Sequence, residues 1–419
     1  MHFELKKRLM KKIILSLYVF LLLSLTSHCQ APGQSSVQSS YSGKKLLRVP
    51  AQYNLIAEAV QNANPGDTII IAPGNYTEKN IKLNDPIIIS SEWKLTGDTG
   101  MINKTCINAD SGTLFKIHAE GVEISGLKMM NGDHLLEIYA KSKIVYNHVV
   151  NDRTDGISFE SGAGGYIAYN LIENAGDDGI DIDIGENPKN IGSDVVVEYN
   201  TIANSHDDGI EIRLYNSPNQ NIHYEIRNNI FLRSRNDGIQ LISYNTNTGK
   251  VFSIHHNIFK GCNVALGCME GAKTVEDLGG SPLMDERVYF YNNTIIENNL
   301  GATGGNNIIA INNVVYNNRG GGFKRFGKSS VIVNNLFFEN NNSDFVDLDP
   351  FVTVRENIFQ KDPLLNKSTF APAIKSPCID RGMKRFALND QIFLKLSADA
   401  FIGSAPDIGA LELNQQPSK

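Results

Sequence analysis

Four copies of one phrase decide the fold: YNHVVNDRTDGISF (Tyr146–Phe159), YNLIENAGDDGIDI (Tyr169–Ile182), YNTIANSHDDGIEI (Tyr199–Ile212) and NNIFLRSRNDGIQL (Asn228–Leu241). In each, an Asn (Asn147, Asn170, Asn200, Asn229) precedes an Asp (Asp155, Asp178, Asp208, Asp237) by eight positions. A Gly follows the Asp, and then residues alternate apolar and polar. Repeats of this length built from short β-patterned pieces specify a stacked solenoid, in which neighbouring coils share one continuous core. Working outward, Asn257, Asn293, Asn313, Asn335 and Asn357 take the same place before an apolar pair. An inward Asn stacked coil on coil exchanges amide hydrogen bonds with its neighbours, so this column is read as structural. Rungs 20 to 23 residues apart make bare coils, and wider ones carry loops. The loops fall at Asp183–Val195, Leu214–His223, Ser243–Val251 and Glu270–Arg287, each after a DGI-type strand and so on one side of the stack. Loops that pile up on one side build a binding wall there. The last of them reads either as a lid or as a solvated excursion.

The 419-residue chain fits one extended solenoid better than several domains. Residues 1–12 hold five Lys/Arg against one Glu, and residues 13–25 are the uncharged run IILSLYVFLLLSL. This is the pattern of a signal peptide, too short for a comfortable membrane span. Cys29 stands where the acceptor cysteine of a bacterial lipoprotein would. The expected layout is a leader over 1–29, a polar linker over 30–47, a β-helix over 48–412 and a tail over 413–419. The product is expected to be exported, to the periplasm or as a lipoprotein of the outer membrane or cell surface. With the basic leader set aside, the body is more acidic than the formal −6 of the whole chain, which argues against nucleic acid. The remaining cysteines show no metal spacing, and Cys262 and Cys268 read as core fillers. The segment around Leu55–Val60 has helical spacing and stops before Pro65-Gly66, as a helix capping the first coil would.

That helix, followed by PGDTIIIAPGNYTE (Pro65–Glu78), resembles the opening of bacterial right-handed parallel β-helix proteins of the pectate-lyase-like superfamily. The DGI coils resemble their central repeats, and SPCIDRG (Ser376–Gly382) with DIGALE (Asp407–Glu412) resembles their closing motif. The resemblance implies an all-β fold: a single-stranded right-handed parallel β-helix with a short N-terminal capping helix. It says little about activity, since the group holds lyases, hydrolases, epimerases and proteins without catalysis.

The chemistry must come from the residues. Alternation points Ile157, Ile180, Ile210 and Ile239 inward, with Phe159, Ile182, Ile212 and Leu241. The outward columns are then Thr154/Asp177/Asp207/Asn236, Ser158/Asp181/Glu211/Gln240 and Glu160/Asp183/Arg213/Ile242. Turn chemistry explains the Asp of each DG pair, but no turn requires acids at Asp181, Asp183 and Glu211. Carboxylates this crowded repel unless they hold a cation or a proton. Asp177, Asp181 and Asp183 are therefore expected to hold Ca²⁺ through oxygen ligands. His206, Asp207, Glu211, Arg213 and Tyr215 are the catalytic candidates, and Arg153, Arg235 and Tyr244 the substrate-binding ones. Together they suit β-elimination at a uronate, as a polysaccharide lyase or by dehydration of a terminal uronate. A cation or Arg213 neutralises the sugar carboxylate, and His206 and Tyr215 move protons.

Two alternatives stand beside this. RTDGI, DDGI and His206 are similar to the NTD, DD and His signatures of polygalacturonase-like glycoside hydrolases. That similarity would make Asp155, Asp177 and Asp178 the acid and the water-activating base, with His206 in support. Arg153 replaces the Asn, and no GHG or Arg-x-Lys follows. The second alternative is a non-catalytic surface glycan-binding protein, in which Tyr215, Tyr244 and Phe323 would be the few aromatic platforms. The expected partner in each case is an acidic polysaccharide or oligosaccharide, met by a monomer that touches a membrane only through a lipid at Cys29.

Overall fold

A computed structural model describes residues 44–184, 194–215, 222–244, 249–270 and 283–413. The leader, most of each of the four loops and the last six residues lie outside this description, as does the lid-or-excursion question at Glu270–Arg287. Among the described residues, each coil gives one strand to each of three parallel sheets. Sheet A has 13 strands, beginning with Leu46–Val49; sheet B has 12, from Gly74–Thr77; sheet C has 11, from Ile81–Leu83. Every sheet runs through its strands in chain order, which is the winding of a parallel β-helix. The helix begins earlier than the sequence suggested, because Leu46 and Leu47 pair with Thr68 and Ile69 and so are not linker. The capping helix spans Ile56–Gln61 and buries Ile56 and Ala59 in the core. Its first turn is held by Glu78, whose carboxylate accepts the Ile56 and Ala57 N–H at 2.7 and 2.9 Å.

Alternation set the register as read. Ile180 pairs with Ile210 and Ile210 with Ile239, and all three are fully buried. The chain leaves sheet A through one left-handed residue per coil, including Tyr146 (φ 57°), Tyr169 (φ 58°) and Tyr199 (φ 55°). Such a conformation costs a non-glycine residue roughly 1–2 kcal/mol. The Asn behind each bend offsets it. Asn229 Nδ2 donates to Val197 O at 2.8 Å and to Asn257 Oδ1 at 3.1 Å. Its Oδ1 accepts from Asn200 N at 2.9 Å and Asn200 Nδ2 at 3.0 Å. Asn229→Ala should therefore lower stability by about 3 kcal/mol, because several fully buried groups lose partners at ~1–3 kcal/mol each. Asn342→Ala, whose exposed amide donates to Gly320 O at 3.3 Å, should change it by less than about 0.5 kcal/mol. Denaturant midpoints for the two variants check this.

The glycine of each DG pair serves close stacking, not a turn. A Cβ on Gly179 would lie 2.8 Å from Gly209 O, and one on Gly209 would lie 2.5 Å from Gly238 O. The closing motifs clasp the side of the stack. Cys378 and Ile408 pack with Val314 and Leu336, and Asn292 Nδ2 donates to Asp407 O at 2.8 Å. Cys262 and Cys268 are buried in the core, as expected of core fillers.

Candidate functional site

Sheet C carries the charge. Register places Ser158, Asp181, Glu211 and Gln240 in one outward column, and Asp183, Arg213 and Ile242 in the next. Their side chains leave the coil interior, yet they are not an exposed wall. Asp181 is 5% exposed, Glu211 3% and Gln240 0%. The patch is a buried floor, and buried carboxylates demand partners.

Two groups of three carboxylates converge, each offering oxygens within 4.8 Å of one another: Asp178, Asp181 and Glu211, and Asp155, Asp177 and Asp178. Asp178 belongs to both. The trio read from sequence, Asp177, Asp181 and Asp183, is regrouped, because Asp183 turns to Arg213 instead. That arginine lies among the acids, with Nη1 3.3 Å from Asp181 Oδ2 and 3.6 Å from Asp183 Oδ1, and with Nη2 paired to Glu211. The Gln240 amide nitrogen, in the orientation that suits both neighbours, lies 3.3 Å from Glu211 Oε1 and 3.3 Å from Asp208 Oδ2.

One cation does not balance this charge. Burial lifts the Asp181 carboxyl to about 9 despite Arg213 beside it. Burial likewise lifts Glu211 to about 6, against the pull of Arg213. Asp178 is pushed well above the carboxylate range by burial and by Asp208 and Glu211. Asp181 Oδ1 is buried and has no hydrogen-bond partner among the described residues. Such a floor is completed by protons or by a hard cation with oxygen ligands.

The Asp of each DG pair also has its structural task. Asp155 Oδ1 accepts the Asp178 N–H at 3.2 Å, Asp178 Oδ1 that of Asp208 at 2.8 Å, and Asp208 Oδ1 that of Asp237 at 2.6 Å. His134 was not read from sequence as a site residue. Leu136 pairs with Ile157, so His134 stands in the Asp155 position of the preceding coil. Its Nδ1 lies 3.3 Å from Asp155 Oδ2 and 3.1 Å from Thr154 Oγ1, and the Asp155 contact raises its pKa. The signal was present in Asp133-His134-Leu135-Leu136, a DDGI coil with a substituted second acid.

The other candidates spread around this floor. The Tyr215 and Tyr244 rings lie 4.5 Å apart, tilted by 30°, and burial followed by Asp183 pushes the Tyr215 phenol up against the pull of Arg213. Asp207 accepts from the Asn236 amide and is raised by burial and by Asp177. His206 is exposed, and its ring makes no hydrogen bond among the described residues. Arg153 is exposed and faces Asp133 at 3.4 Å, and Arg235 is exposed at the edge.

Asp152, beneath the Asp155–His134 pair, was also missed. It is 6% exposed, its Oδ2 has no hydrogen-bond partner among the described residues, and burial raises its pKa to about 8. A raised folded pKa contributes stability below the unfolded value near 3.8, and that stability is lost as pH climbs through 8. Asp152→Asn keeps the acceptor for the Gly176 N–H and should flatten the fall in Tm between pH 6 and 9 relative to the parent, in scans at fixed ionic strength.

Three parallel sheets wound in chain order, with an acidic floor on one of them, make this a right-handed parallel β-helix protein. Within that class, the chain belongs to the family described as a protein of unknown function, DUF1565, whose model matches residues 48–276. No curated protein matches it. Among solved structures, a mutant of the PL6-family alginate lyase AlyGC is similar, with a TM-score of 0.52 and 14% identity over 85% of this chain. The chain spans 57% of that lyase's length. XylC in complex with xylose gives a TM-score of 0.52 at 11% identity, over 77% of this chain and 87% of its own. The pectate lyase Pel9A gives 0.47 at 17% identity, over 88% and 96%. At such identities the likeness speaks for the fold.

Proposed function

We propose that this protein is an exported enzyme that acts on a uronate-containing polysaccharide or its oligosaccharides by β-elimination. The observation that carries the reading is the Asp178–Asp181–Glu211 floor with its buried, unpartnered Asp181 oxygen. Those three side chains would hold Ca²⁺, and the orphan oxygen and all-carboxylate donor set fit it. When bound, the ion would neutralise the sugar carboxylate and so acidify the neighbouring C5–H.

The chain's own residues do the rest. Arg213 fixes the acid floor and cannot give up its charge. His134, oriented by Asp155 and Thr154, is better placed as the base than the unpartnered His206. Neutral His134 takes the C5 proton, the electrons form the C4–C5 double bond, and the C4–O4 bond breaks. Tyr215, with its ring against Tyr244, gives a proton to the departing oxygen. With a sugar as leaving group this is chain cleavage, and with a free hydroxyl it is dehydration. Export, with a lipid at Cys29, is part of the proposal.

The hydrolase reading takes Asp155, Asp177 and Asp178 as its acids. Their oxygens lie within 4.8 Å, closer than the ~6.5–9.5 Å that leaves room for the water of an inverting enzyme. That spacing speaks against the inverting route only, and elimination is preferred for the buried carboxylate floor, with its orphaned Asp181 oxygen, that suits a cation. Incubation with a panel of uronate glycans, with and without a chelator, tests it through near-ultraviolet absorbance of the unsaturated product and through product mass. The rate should climb as pH passes above the usual imidazole range, where His134 becomes neutral. New reducing ends without absorbance would put hydrolysis in its place, and silence across the panel would favour a binding protein.

A further inference from the structure

The outward column that holds Asp181 and Glu211 does not end at the acids. Followed toward the N-terminus it runs through Ser158, Glu137 and Lys116 to Lys82, in unbroken register. Its sign therefore reverses along one face. Lys116 lies three strand steps from Asp181 and Lys82 four, or about 14 and 19 Å at ~4.8 Å per step. Glu137, 8% exposed, takes up one of these charges, accepting from Lys116 at 2.8 Å, from the Tyr139 hydroxyl at 3.0 Å and from Thr113, which leaves the Lys82 ammonium to face outward. Lys82 is exposed and has no partner among the described residues.

Beside the lysines stands a flat step. His118 and Tyr139 follow Ile117 and Ile138, which pair in register, and their rings stack at 4.7 Å with 23° between planes. Tyr139 is 37% exposed. The connections here are short, from Ile117 to Glu123 and from Ile138 to Ser142, whereas the coils at the acid floor carry the long loops. This end of the face is thus open.

We infer that the Lys82–Lys116 and His118–Tyr139 step is a distal binding subsite for the anionic sugars of a chain whose reacting unit lies at the acid floor. The chain runs along the solenoid axis, crossing the strands. The Lys82 ammonium meets a uronate carboxylate, with Lys116 behind it held by Glu137, and the stacked rings meet a sugar face. The inference rests on the reading of the acid floor as the reacting site, and it adds that long substrates are held better than short ones.

The test uses the full chain carrying Glu211→Gln, with Lys82→Glu or Tyr139→Ala added. Calorimetric titration is done with a disaccharide and with a long oligomer of the uronate glycan. Each added variant is expected to weaken long-oligomer binding about tenfold, the value of one charge-assisted contact, and to leave the disaccharide unchanged. The Lys82→Glu loss should shrink in high salt. Unchanged long-oligomer affinity, or an equal loss for the disaccharide, overturns the subsite. Elimination by the otherwise unmodified chain, with no effect of Lys82→Glu on binding, defeats the subsite alone. Length-dependent binding without elimination defeats the lyase reading alone. Absence of binding to any uronate oligomer defeats both.

Discussion

Glu211→Gln is expected to lower turnover on a uronate glycan by about a hundredfold to a thousandfold while leaving the fold intact. Removing one preorganised electrostatic group from a water-poor site has effects of that size. Glu211 sits at the crossing of three interactions: with Arg213, with the Gln240 amide, and with Asp178 in the shared carboxylate group. Gln keeps its volume and its place in the column, so the strands on either side, Ile180–Ile184 and Asp237–Ser243, retain their pairing. What disappears is one of three oxygen donors and one of the charges that hold the Arg213 fork. Steady-state rates read the loss, and circular dichroism with a thermal melt reads the fold. A variant with parent-like turnover would move the reaction away from this floor.

The second large effect is thermal. Calcium at a hundred times its Kd should raise stability by about 2.7 kcal/mol, and Tm by several degrees. Asp181→Asn should abolish that response, since it removes the oxygen that lacks a partner. The pH dependence has a definite sign. Asp181 has a folded pKa of about 9 against an ordinary 3.8, so the ion-free protein holds a proton that the unfolded chain does not. Its stability is fully present below pH 4 and falls as pH rises toward 9, by at most about 1.4 kcal/mol per pH unit for each such proton. Bound calcium takes the place of those protons, so its stabilisation should be larger at pH 8 than at pH 5. Scanning calorimetry with chelator and with calcium at both values measures this. A Tm indifferent to calcium at pH 8 would leave the floor to protons and Arg213.

Much of this was legible in the residues. The two-residue alternation in DGIDI and DGIEI put Asp181 beside Glu211 and Asp183 beside Arg213, and the structure has that register. The Asn column was legible because one side chain repeats at one place with a single geometric use. Burial was not. Alternation tells which side of a strand a carboxylate leaves from, and it does not tell what shields it there. Arg213 was read as a catalytic group neutralising the sugar carboxylate, whereas its long, forked side chain reaches acids on its own strand and on the adjoining one. Sequence distance does not record that reach. His134 escaped because its coil lacks the DG pair that marked the others, although its register is the same.

The Asp178–Asp181–Glu211 group spans two successive coils, with Asp181 on one strand and Glu211 on the next. Its dimensions are therefore those of the backbone ladder, and no loop sets them. Elsewhere in the stack a whole coil could be gained or lost in evolution with little harm, since each rung makes the same bonds to the next. Between Ile184 and Ile210 the same event would draw the two acids apart by a full strand spacing of about 4.8 Å. That junction, like those that set His134 against Asp155 and Asp155 against Asp178, should be a place where the number of repeats is frozen, and a one-coil insertion there should leave a folded protein without its reactive centre.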